Sequence, residues 1–92
     1  MLSRRDFLLL GPRREGAPAT LSCERLYMRY LDSRLDGSTG ELFERLARDL
    51  RAVTNVQLTD VAWLAQSDLK AHLDGVLDSF RARGGQVDVR AS

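Results

Sequence analysis

Apolar residues along the second half of this chain recur with two distinct periods. Leu42, Phe43, Leu46, Ala47, Leu50 and Val53 return at three- and four-residue spacing, the mark of an amphipathic helix. Val56 and Leu58 are two apart, as in a strand with one buried face. Leu69, Leu73, Val76, Leu77 and Phe80 resume the helical period, and Val87 and Val89 the strand period. The boundaries carry their own signals. Ser38 and Glu41 match a capping box, predicting a helix from there to about residue 52. A strand follows over residues 55–59, and Val61, Trp63 and Leu64 carry the apolar pattern into a turn. Ser67 with Asp68 opens a second helix, and Gly84-Gly85 closes it ahead of a strand over residues 86–90.

The first half is less regular. Residues 5–10 form an apolar strand candidate, and residues 11–18, with two Gly and two Pro, read as a wide turn. From residue 19 to 32, Leu21 and Cys23, then Leu26, Met28 and Tyr30, alternate with more polar neighbours. This predicts a long strand whose inward face switches at a bulge near Glu24. Leu26/Tyr30 and Tyr27/Leu31 are also spaced by four, the pattern of the rival reading, a helix. The predicted order is β-β-α-β-α-β in one domain, residues 1–92. It implies a mixed four-stranded α/β (α+β) sheet with two helices on one face. The strand–helix–strand run over residues 55–90 predicts a parallel βαβ unit.

Arg34-Leu35-Asp36-Gly37-Ser38-Thr39 is similar to the entry into the first helix of STAS domains, the class of the bacterial anti-sigma-factor antagonists. Leu58-Thr59-Asp60-Val61-Ala62-Trp63-Leu64, the long helix, and Ala82-Arg83-Gly84-Gly85-Gln86-Val87 resemble the central segment of that family. The resemblance spans roughly residues 26 to 89 and implies a partner-binding surface around the start of the long helix. The family carries an aspartate and then a phosphorylatable serine at that start. Ala65 and Gln66 stand there in this chain, with Ser67 one position later. The resemblance therefore implies no phosphorylation switch at the usual place.

Composition narrows the chemistry. Net charge is +1, so no global field draws the chain to nucleic acid or membrane. Residues 1–34 hold seven Arg against four acids, while residues 35–92 hold seven bases against nine acids. One Cys and one His are too few for the usual zinc site, and the lone Cys23 forms no internal disulfide. His72, four residues after Asp68, reads as a boundary residue beside the apolar stripe. Cys23 reads as an inert buried thiol. No phosphate loop or dinucleotide fingerprint occurs. No cofactor or metal is expected, and the reading is a binding module rather than an enzyme.

Arg25, Tyr27 and Arg29 are the candidate contact residues. On a strand they share one side, opposite Leu26 and Met28. A row of Arg and aromatic side chains fits a protein interface, with another protein or a second copy as partner. It also fits the alternative, a single-stranded RNA or other nucleic-acid surface on which bases stack. No run approaches the length of a membrane helix.

Ser3-Arg4-Arg5-Asp6-Phe7-Leu8 resembles the twin-arginine export motif, but its apolar run stops at Leu10, before Gly11 and Pro12. Cytoplasmic retention is the expectation. Cell fractionation checks it: a processed periplasmic form that disappears on replacing Arg4 and Arg5 would overturn it.

Overall fold

The structure is a computed structural model that describes residues 10, 19–65 and 67–90. The elements run β1 (Ala19–Ser22), α1 (Cys23–Asp36), α2 (Thr39–Leu50), β2 (Asn55–Thr59), a 3-10 helix (Val61–Ala65), α3 (Ser67–Ala82) and β3 (Gln86–Val89). Among the described residues the sheet has three strands in the order β1-β2-β3, all parallel. Ala19 is in register with Val56 and Val56 with Val87; Leu21 is in register with Leu58 and Leu58 with Val89. These residues line the apolar face. Thr20, Gln57 and Asp88 share a row on the other face, with Ser22 and Thr59 in the next.

Parallel neighbours need crossover connections, and both run in the same direction along the sheet. Right-handed crossovers then put all the helices over one face. One core cluster results. It joins Leu21, Val56 and Leu58 of the sheet to Leu26 and Tyr30 of α1, Phe43, Leu46 and Leu50 of α2, and Leu69, Leu73, Leu77 and Phe80 of α3. The predicted parallel βαβ unit over residues 55–90 is present, with β2 at its expected bounds. The stripe of α3 is buried as its period implied, with Val76 only partly covered. Val89, expected to point inward, is 61% exposed at the sheet's end. No helix among the described residues is long and apolar enough to cross a membrane.

Several expectations are corrected. Among the described residues the sheet has three parallel strands, one of the four predicted strands falling outside them, and three α-helices cover the sheet rather than two. The first predicted strand, residues 5–10, lies outside the described residues except for Leu10. That residue makes an isolated antiparallel bridge with Leu21. The turn over residues 11–18 also lies outside them.

The predicted long strand ends at Ser22, where α1 begins. The buried residues of α1 are Cys23, Leu26, Tyr30 and Ser33, spaced three, four and three, which only a helix can put on one face. Caps at both ends reinforce it. The Ser22 side chain accepts a hydrogen bond from the Arg25 N–H at 3.3 Å, and Glu24 lies in the first turn. Gly37 ends the helix at φ 75°, while the Ser38 N–H donates to the Ser33 carbonyl at 2.9 Å. The expected Ser38–Glu41 capping box is absent: the Ser38 side chain makes no cap hydrogen bond, and its hydroxyl donates to Asp36 Oδ1.

The far end of α3 carries a complete Schellman motif. Gly84 has φ +92° and its N–H donates to the Arg81 carbonyl at 2.9 Å; the Gly85 N–H donates to the Phe80 carbonyl at 3.0 Å. A Cβ on Gly85 would lie 2.5 Å from the Phe80 ring, itself 2% exposed and hemmed in by the core. Gly84→Ala is expected to cost about 1 kcal/mol from its left-handed backbone. Gly85→Ala is expected to cost more, on the order of 2 kcal/mol, by displacing Phe80. Urea unfolding of both variants measures this, and a Gly85→Ala as stable as the parent would rule out the close approach.

Candidate partner-binding surface

Because Cys23–Asp36 is a helix, Arg25, Tyr27 and Arg29 do not form the expected sheet-face row. Successive helical residues are rotated by about 100°. Arg25 and Arg29 thus lie one turn apart on one flank, and Tyr27 lies on the opposite flank. Tyr27 is half-buried, its ring 5.3 Å from that of Trp63 at 44°. Arg25 is exposed. Arg29 edges a polar cleft of about 270 Å³ between α1 and α2, together with Asp36, Glu41 and Arg45. Among the described residues, the strand rows on the open face of the sheet hold Asn55 and Gln86, then Thr20, Gln57 and Asp88, then Ser22 and Thr59. They supply neither the arginines nor the aromatic rings needed to stack bases.

A different surface comes into view on the side of α1 facing away from the core. Met28 is 49% exposed, Leu31 38% and Leu35 89%. They stand at i, i+3 and i+7, so they form one stripe along the helix. The stripe is opposite the buried Leu26 and Tyr30, with Glu24, Arg25 and Asp32 beside it. Single exposed leucines are ordinary, but three in register on one helix make a continuous apolar strip. The strand reading hid it by putting Met28 in the core and Leu31 on the opposite face. The available signal was the pair of helix ends: Ser22 as an N-cap and Gly37 fifteen residues later as a C-cap.

The ends of α1 hold its stripe at a fixed height over the sheet. At the N-terminal end, Ser22 Oγ also donates to Asp60 Oδ2 at 3.2 Å, tying β1 to the residue after β2. Asp60 adopts φ 56°, an uncommon left-handed conformation that Asp tolerates better than most residues. At the C-terminal end, the buried Ser33 hydroxyl donates to the Tyr30 carbonyl at 2.7 Å. Its single proton is thereby used, so Thr39 Oγ1, 3.0 Å away, is the donor to Ser33 Oγ. This bond links α1 to the first turn of α2. The Asp36 carboxyl accepts from the Ser38 hydroxyl and the Ser38 N–H, which lowers its pKa.

Neither titratable residue considered for chemistry is poised for it. Cys23 is fully buried in the first turn of α1; burial first, and then the nearby Asp60 charge, pushes its thiol up to about 11. A nucleophilic cysteine needs the opposite shift. His72 stacks on Phe43 at 4.9 Å and 14°, and its ring is 5.9 Å from that of Tyr30. Tyr30 is seven residues along α1 from Cys23, a rise of about 10 Å, so His72 serves the aromatic cluster rather than the thiol.

The larger cleft, about 510 Å³, lies at the other end of the sheet beside Leu50, Phe80, Arg51 and Arg83. The C-termini of α2 and α3 meet there, and their partial negative charge offsets the two guanidinium groups. No family model, curated protein or solved structure matches this chain.

The raised thiol pKa makes stability depend on pH. The folded state holds the Cys23 proton more tightly than the unfolded chain. Its stabilising contribution is complete below the ordinary thiol value of 9.0 and is lost as pH rises through about 11. Cys23→Ala is expected to flatten that alkaline decline. Denaturant unfolding at pH 8 and pH 10.5 tests it, and an unchanged slope in the variant would refute the assignment to Cys23.

Proposed function

We propose that this domain is a non-catalytic protein-interaction module whose contact surface is the outward face of α1. The carrying observation is the exposed stripe of Met28, Leu31 and Leu35 on a helix whose opposite side is fully committed to the core. Exposed apolar surface in register along a helix is what a partner buries, and charged residues at its rim give direction to the encounter. Arg25, Tyr27 and Arg29 take part as rim residues of this helix. The resemblance to STAS domains favours the same class of activity, docking onto another protein. It points to the start of α3, whereas the exposed apolar residues favour α1. The nucleic-acid alternative loses its main support along with the sheet-face row.

Leu35→Glu and Met28→Glu separate binding from folding. Neither side chain is core, so thermal midpoints are expected to stay close to the parent value, within the range of about ±0.5 kcal/mol for surface substitutions. Binding is expected to weaken by on the order of 2 kcal/mol, the scale of an interface hot spot. The parent and variant domains would be used as bait against source lysate, with captured proteins compared quantitatively. A captured set that is the same for all three baits would overturn the assignment of α1.

A further inference from the structure

We propose that the occupant of this face is a second copy of the chain, docked through its own α1 in antiparallel orientation. The proposal rests on the reading of α1 as a contact surface and names the partner. Met28, Leu31 and Leu35 have the three- and four-residue steps of successive seam positions in a two-helix pair. An antiparallel pairing that seats Met28 on Leu31 of the second copy also seats Leu31 on Met28, closing about a two-fold axis. At the end of the seam, Leu35 meets the aliphatic stem of Glu24, whose carboxylate stays in water.

The charges choose the partner and the orientation. Arg25 and Asp32 are seven residues apart on one flank of the seam, and both are exposed. Among the described residues, neither side chain has an ion-pair partner within its own chain, unlike Lys70 with Asp74 or Arg81 with Asp78. The register that stacks Met28 on Leu31 brings Arg25 of each copy beside Asp32 of the other, giving two equivalent ion pairs. A parallel pairing would instead turn this flank toward Tyr27 and Arg34 of the second copy, leaving Arg25 without an acidic partner. The Arg25–Asp32 flank is thus complementary to itself in the antiparallel arrangement. On the other flank, Arg34 is carried toward Tyr27 of the second copy, where it can leave the Tyr30 ring it now covers at 5.8 Å. A seam of three apolar residues falls short of the roughly 800 Å² per partner of a standard interface. The dimer is therefore weak and depends on concentration.

Sedimentation velocity over a micromolar to millimolar series tests the proposal with the full chain. The parent is expected to pass from monomer to dimer, and Leu31→Glu to stay monomeric with an unchanged circular dichroism spectrum. Arg25→Asp or Asp32→Arg alone is expected to raise the dissociation constant about tenfold, two exposed ion pairs being lost and like charges brought together. Arg25→Asp combined with Asp32→Arg is expected to restore it, because the exchanged charges still meet across the antiparallel seam. A parent chain that stays monomeric throughout overturns the second-copy proposal. So does a dimer unaffected by Leu31→Glu, or a double variant no better than the singles. Loss of lysate partners from the Leu35→Glu bait would still support α1 as a contact surface for a different protein, so the two readings fail separately.

Discussion

Every described element of this fold depends on three parallel strands that bury one face. Parallel strands cannot be joined by tight turns, so the chain must cross back over the sheet between each pair. Both crossings lie on the side of Leu21, Val56 and Leu58, which are 0%, 0% and 4% exposed. The opposite face has threonine, serine, glutamine and aspartate at the matching positions. The apolar side of a small sheet and the apolar stripes of its helices thus cover each other. Truncating a leucine such as Leu26 or Leu46 in that shared layer would cost about 2–5 kcal/mol, a large part of the stability of a domain this size.

The first crossing carries two helices where a single one could suffice. Gly37 makes this workable by ending α1 in the left-handed conformation, and Ser33, Thr39 and Asp36 satisfy the polar groups around the corner. α2 can then fold back and present Phe43, Leu46 and Leu50 to the core. The corner also accounts for the exposure of α1. With sheet and α2 occupying its inner side, and Trp63 packed against Tyr27 on one flank, the side bearing Met28 and Leu35 is the exposed one.

That leaves α1 with two apolar aspects of different standing. Leu26 and Tyr30 are consumed in folding, while Met28, Leu31 and Leu35 are available for association. Burial holds the Cys23 thiol in its protonated form, and His72 stacks on Phe43 in the aromatic cluster. The polar cleft beside Arg29 and the arginine-edged cleft beside Phe80 bound this surface's neighbours without adding a reactive group.

By itself the sequence determined the second half of the molecule. The stripes of α2 and α3, the strand over residues 55–59, the glycine pair ending α3 and the parallel βαβ unit all follow from local periodicity and helix-end chemistry. Residues 23–36 were decided by tertiary structure. Leu26, Met28 and Tyr30 satisfy a two-residue period, whereas Cys23, Leu26, Tyr30 and Ser33 satisfy a helical one, and alternation alone does not choose between them. The choice falls to the helix because the parallel neighbour β2 requires a crossing element there, and a helix puts Cys23, Leu26 and Tyr30 together in the core. The candidate contact residues followed that choice. Arg25, Tyr27 and Arg29 lost their common face, and Met28, Leu31 and Leu35 gained one, since the same side chains are sorted every second residue on a strand and every third or fourth on a helix.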